Sequence, residues 1–248
     1  MPGAVALVTL LAAGKLAEID WRAPCALYLV GFIVLAVGVS TLTETKSAGV
    51  TTEVAEGGSV RNTSGLFLLI LLASIVVMMA TVQGPFLLSS KGENSPSVQA
   101  VIGVLSTLGA MSGASLFGLL RPKIGFSVML AIVLAALGAG TIGLGMSNGV
   151  IAWAVFAALG GFGGGLLVPL IQSAILNAVS HAAAIRAMGI TLGCMFFAKF
   201  LNAFLMTPLR SAFGIEGSFI FVGGLTLAGG AVAVLRCMRG GLRAAPSV

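Results

Sequence analysis

Charge is what this chain has least of. Seven acidic and 13 basic residues make up 8% of its 248 residues. A soluble domain of this length covers its surface with charged side chains, so a soluble globular protein is excluded. Histidine and tyrosine each occur once, tryptophan twice and cysteine three times. An enzyme embedded in a bilayer would need a His/Asp/Glu cluster or a Ser/His pair within its spans, and none is present. Cys25, Cys194 and Cys237 match no metal-site spacing and make no disulfide framework, so they read as small packing residues. His181 lacks Cys, His or carboxylate companions and reads as a solvated turn residue. No metal and no cofactor is expected.

What the chain has instead is long apolar runs. Hydrophobic residues make up 58% of it and its mean hydropathy is +1.13. A spanning helix needs roughly 20 apolar residues. Residues 23–43, 65–88, 97–120, 125–146, 149–178, 184–208 and 217–235 each read as one such block. Residues 3–16 are apolar but too short to cross. They lack the basic leader and small-residue cleavage site of a signal peptide, so they read as the stump of a spanning helix. The runs are continuous rather than alternating and rich in Ala, Leu and Gly, which excludes barrel strands. The expected fold is an all-α transmembrane helical bundle, because helices satisfy their own backbone groups in lipid.

The basic residues orient the bundle. Lys46, Arg61, Arg121, Lys123, Arg186, Arg236, Arg239 and Arg243 fall on one side of the alternating spans. Lys15, Arg22, Lys91 and Arg210 fall on the other, each with an acid near in sequence (Glu18, Asp20, Glu93, Glu216). Positive charge favours the first side as cytoplasmic, which places both ends of the chain there, in a multi-pass cell-membrane protein. The net charge of +6 is then juxtamembrane charge facing anionic lipid, and no nucleic-acid partner is needed to explain it.

Residues 44–64 are polar and rich in Gly, Ser and Thr, and read as a flexible cytoplasmic linker. Asn62-Thr63-Ser64 fits the glycosylation pattern but lies on the wrong side for it. The linker divides the chain into residues 1–43, with one stump and one span, and residues 65–236, with six spans; residues 237–248 form a tail.

Glycine occurs 35 times. The Gly160-Gly161-Phe162-Gly163-Gly164-Gly165 string lies inside a span with no strand before it, so it reads as close helix contact and bending near Pro169 rather than a phosphate loop. Gly109 with Gly113, and Gly189 with Gly193, have the small-xxx-small spacing of close-packed helices.

The acids all lie in loops or at span ends. Polar residues within spans are Gln83, Ser106, Thr107, Ser112, Ser115, Gln172, Asn177, Lys199 and Asn202. Lys199 is near mid-span, where a lysine costs roughly 2.5–3.5 kcal/mol. Asn202 follows three residues later on the same helical face. Lys199, Asn202, Gln83 and Gln172 are the candidate substrate-path residues. Snorkelling to an interface is the competing reading of Lys199.

Several local strings carry a resemblance. Ile19-Asp20-Trp21-Arg22-Ala23-Pro24, with Leu27-Tyr28, resembles the turn between the fifth and sixth helices of the major facilitator superfamily. Gly84-Pro85-Phe86-Leu87-Leu88 resembles the end of the seventh helix in its drug- and sugar-efflux members. The stretch Gly118-Leu119-Leu120-Arg121-Pro122-Lys123-Ile124-Gly125 resembles the second copy of the family's cytoplasmic gating loop, with Gly118, Arg121, Lys123 and Gly125 at matching places. Arg186-Ala187-Met188-Gly189 resembles the start of the eleventh helix, and Phe197 to Asn202 a polar string within it. The order of these strings covers essentially the whole chain.

The resemblance implies a linker and the six-helix C-terminal half of a transporter, preceded by a remnant of the N-terminal half. It also implies alternating access between two halves around a midplane site. Efflux of a drug or small metabolite is the implied activity, with a coupled proton; a sugar exporter or a non-transporting membrane subunit is the alternative. The small-molecule substrate is not named by any motif. A missing N-terminal half, or a second chain in its place, is an expected partner, and the chain alone is expected not to transport. In the gating loop, Pro122 stands where the family has Asp, Lys123 where it has Arg, and Phe126 where it has a basic residue.

Overall fold

The computed structural model describes residues 2–41 and 63–238. The linker proposed at 44–64 and the tail therefore lie almost wholly outside the described residues. The described chain is an all-α helical bundle. Helices α1 (Pro2–Ile19) and α2 (Val30–Thr41) are joined through a 3-10 helix at Ala23–Leu29. Then come α3 (Ser64–Met78), a π-helical turn (Met79–Gln83), α4 (Gly84–Ser90), α5 (Pro96–Leu120), α6 (Phe126–Met146), α7 (Val150–Ala178) and α8 (His181–Met238).

Local chemistry sets the boundaries. The α5 start is capped by the Ser95 hydroxyl, which accepts from the Val98 N–H, with Pro96 in the first turn where its missing donor does no harm. Gly149 takes φ +96° at the α6–α7 turn, a conformation that favours glycine. Pro85 has no N–H to give the Thr81 carbonyl one α-turn back, and its ring crowds that turn. The five-residue π turn immediately before it absorbs this mismatch.

Two sequence expectations about elements change. Residues 23–41 are not one regular span: the 3-10 turn around Pro24 precedes a 12-residue α2. Every α2 residue whose burial is described is exposed. The blocks expected at 184–208 and 217–235 are not separated by a loop. They lie in the 58-residue α8, broken only at Gly214 (φ 71°, ψ 176°).

That break is a reversal. Asn202 meets Ile75, and Arg210 meets Gln83, so residues 181–213 run parallel to α3. Gly145 lies against Phe219, Gly138 against Leu227, and Gly230 against Leu134, so residues 215–238 run antiparallel to α6. Ile70 shares a core with Met129 and Leu130, while Met79 shares one with Leu144, so α3 and α6 run parallel. The two limbs of α8 therefore form a helical hairpin.

Among the described residues, five helical stretches are long and apolar enough to cross a membrane: Ser64–Ser90, Pro96–Leu120, Phe126–Met146, Val150–Ala178 and Ala183–Val232. With the last folded back at Gly214, they provide six apolar lengths. Two cores fill the bundle. One joins α3, α6, α7 and the start of α8 around Ile70, Val133, Leu166 and Ile171. The other joins the π turn, α4, α6, α7 and both limbs of α8 around Met79, Trp153, Met206 and Phe219. The outer surface carries Phe, Leu, Ile and Val in quantity, including Phe196, Phe200, Phe204 and Leu225, each at least 65% exposed. Such a surface suits hydrocarbon rather than water.

Candidate functional site

Helices α5 and α7 run parallel and nearly touch. A Cβ on Gly161 would land on the Ser106 carbonyl, one on Gly165 on the Ala110 carbonyl, and one on Gly113 on the Phe162 carbonyl. Packing of Gly140 on Gly160 brings α6 equally close behind them. Toward α3 these backbones leave side-chain space. There a cavity of about 530 Å³ opens, walled by Val76, Ala80 and Thr81 on one side and Ser106, Thr107 and Met111 on the other. Thr141, Gly160, Gly164 and Pro169 form its floor. A second cavity of about 190 Å³ shares Ala80, Thr81, Ser106, Thr107 and Leu144 with it, and continues the cleft past Pro85 and Gln99 to Leu10 of α1.

Among the described residues, no ionisable side chain lines either cavity. Their hydroxyls divide into two kinds. Thr107 and Thr141 bond back to their own helices, at the carbonyls of Gly103 (2.9 Å) and Leu137 (2.7 Å). The hydroxyls of Thr81 and Ser106 have no hydrogen-bond partner among the described residues. The cleft thus presents apolar walls, two uncommitted hydroxyls and glycine backbone, which suits a small uncharged or amphipathic molecule.

Behind the π turn lies a buried polar relay. Arg210 donates to Gln83 Oε1 (3.4 Å), Gln83 Nε2 donates to Asn202 Oδ1 (3.3 Å), and Asn202 Nδ2 donates to the Ile75 carbonyl (2.9 Å). Gln83 is 5% exposed and Asn202 is fully buried. The guanidinium has only donors, so the direction of the whole chain follows from it. Ile75 lies in the last turn of α3, just before the π turn, where Met79 N–H bonds the Val76 carbonyl. Arg210 also lies 5.2 Å from the Phe86 ring centroid.

The sequence candidates separate accordingly. Gln83 and Asn202 come together in the relay. Lys199 does not join them: it is exposed, 4.9 Å from the ring centroid of Phe196. Gln172 is half-buried and lines neither cavity. Ser112 and Ser115 bond back to their own helix. In the loop expected to gate, Arg121, Lys123 and Ile124 close a tight turn onto Phe117 and Leu120. Gly118 is open to its surroundings, and the Gly125 carbonyl accepts from Met129 N–H. Among the described residues no carboxylate pairs with Arg121 or Lys123.

Sequence reasoning missed two partnerships. Arg210, near Glu216 in sequence, reaches Gln83. Lys91, near Glu93 in sequence, bonds through its Nζ the carbonyls of Gly145 (2.7 Å) and Ser147 (2.6 Å), with Glu216 at 3.6 Å. It thereby caps the C-terminal end of α6 and ties it to the outgoing limb of α8. Both contacts join residues more than 50 positions apart, so only the periodic faces of the helices could have hinted at them. No protein-family model matches the chain, and comparison with curated proteins finds no significant match.

Proposed function

We propose that the chain is a multi-pass membrane transporter component of the major facilitator type, moving a small uncharged or amphipathic molecule by alternating access. The observation that carries the reading is the cleft between α3 and α5. A partly open cleft of about 530 Å³ with apolar walls and glycine backbone is the kind of concave site a small molecule occupies. Its two free hydroxyls give a ligand a handle without a charge. The six apolar lengths after residue 63 support the six-helix reading of residues 65–236.

In this reading the face bearing Lys199, Phe197 and Phe200 meets a second helical half, supplied by more chain or by another protein. Lys199 then looks into the space between the halves and holds a counter-charge or an anionic part of the substrate. A coupling acid belongs to that second half, because no described span of this chain carries a carboxylate in its interior. Efflux is the direction implied by the family strings.

Dye retention in the native cell tests this. A strain lacking the gene should retain amphipathic fluorescent dyes that the parent strain expels. Restoring the gene with Ser106→Trp, which fills the cleft, should leave retention high. Equal retention in the parent and deletion strains across a broad dye panel contradicts the reading.

A further inference from the structure

The second cavity, the 190 Å³ arm of the cleft, is closed by a residue from the far side of the 44–64 segment. Of the described residues before 63, Leu10 is the one that lines either cavity. A close approach of α1 to α5 brings it there. Gly14 is buried, and a Cβ on it would land on Ala100 and lie 3.3 Å from the Pro96 carbonyl. One turn earlier on α1, Leu10 Cδ2 stands 3.5 Å from the place where Gly103 would carry a Cβ. Leu10 and Gly14 are four residues apart and share the face that rests on α5. Val5, Val8 and Ile19 lie on the opposite face of α1 and are exposed.

The arm follows α5. Gln99 lies at one end of the stretch that lines it, and Ser106, shared with the larger cavity, lies toward the other, seven residues or about 10 Å away. Gln99 Nε2 donates to the Glu93 carbonyl (3.2 Å), and its Oε1 has no partner among the described residues. Gly103 lies between them and puts no side chain into the arm. At that level the space beside α5 is taken by Leu10.

We propose that Leu10 is a specificity-determining residue of the cleft: its side chain narrows the arm at Gly103, so that the arm takes the slim alkyl part of a neutral alcohol or amide and turns away a ring. The polar head bonds Thr81 and Ser106, where the two cavities join. The alkyl part lies among the buried side chains of Leu87, Leu88, Ile102 and Leu144. A charged head finds no partner there, because no ionisable side chain lines the arm among the described residues. The inference rests on the reading of the cleft as the substrate site, and adds to that site a helix from before residue 44.

The test uses the chain with Cys25, Cys194 and Cys237 changed to Ala and Thr107→Cys added, in phosphatidylcholine nanodiscs. Thr107 lines both cavities. Protection of this thiol from N-ethylmaleimide is measured with 1-heptanol and with cyclohexylmethanol, two neutral alcohols of equal carbon number and different width. The ratio of their half-protecting concentrations is compared between variants, so that partition of each alcohol into the lipid cancels. The parent chain should favour 1-heptanol. Leu10→Ala should shift the ratio about tenfold toward the ring, the scale on which an apolar pocket discriminates one methylene or more. Leu10→Phe should shift it the other way. Gly14→Val, whose side chain cannot fit against Ala100, should lift α1 and act like Leu10→Ala. A thiol at exposed Leu192 should be protected by neither alcohol. A ratio that is the same in all Leu10 variants overturns the proposal and leaves the cleft as a substrate site. A shift in the same direction for Ala and Phe also overturns it, as a general loosening of α1. Absence of protection by both alcohols in the parent chain overturns it too, and the dye-retention test then judges the transporter reading by itself.

Discussion

Lys199 and Asn202 are three residues apart, and a helical wheel sets them about 60° apart. That angle is enough to divide them at a packing seam. Asn202 lies wholly within the contact between α8 and α3, while Lys199 stands outside it over Phe196. The two side chains should therefore respond oppositely to the same substitution. Asn202→Leu strands the Ile75 carbonyl and the Gln83 amide, at about 1–3 kcal/mol for each unsatisfied group. Lys199→Leu removes an exposed charge from an apolar surface and should leave stability unchanged or raise it. Unfolding of the purified chain in mixed micelles reads both. A Lys199→Leu variant as unstable as Asn202→Leu would show that the lysine is part of the packed network. In cells, Lys199→Leu should still impair dye expulsion, with Lys199→Gln milder.

At the level of elements, one spacing gives two outcomes. Gly109 and Gly113 meet α7 carbonyls at close range, whereas Gly189 and Gly193 have open space around them. Gly161→Val should push α5 and α7 apart and destabilise the chain by about 1–3 kcal/mol, as overpacking does. Gly189→Val should leave the isolated chain unaffected. Equal losses in the same unfolding assay would place a neighbour against Gly189 that the bundle lacks. The contrast also shows what the sequence carries. Small-xxx-small spacing marks a face able to approach another helix, but not whether one is there. Long apolar runs made the helical character and most span limits legible, because hydropathy alone determines them. The hairpin at Gly214 was less legible: one glycine reverses the chain without the polar loop that normally announces a turn. The stretch read as a gating loop closes by backbone bonds onto Leu120 and Phe117. The relay was half legible. Gln83 and Asn202 stood out singly as polar residues in apolar runs, but their pairing depends on the parallel alignment of α3 and α8, 119 positions apart.

For the whole molecule, the arrangement amounts to glycine-tight helices on one side and a cleft on the other. α5, α6 and α7 pack through backbone contacts, and α3 with α4 is held off from α5 across the cleft, its bulge fastened to α8. Lys91 fastens the end of α6 to the outgoing limb of α8. One wall of the cleft is drawn together through glycine backbones and the other carries the π turn, and the proposed alternating access would move the second against the first. The most direct measurement of that claim is side-specific thiol labelling at Ser106→Cys, with the three native cysteines changed to Ala. The account predicts that a membrane-impermeant reagent reaches position 106 from the outside in intact cells and from the inside in inverted vesicles. It also predicts that an expelled dye slows both reactions. Failure to label from either side would make the cleft a closed packing void and contradict a transport role.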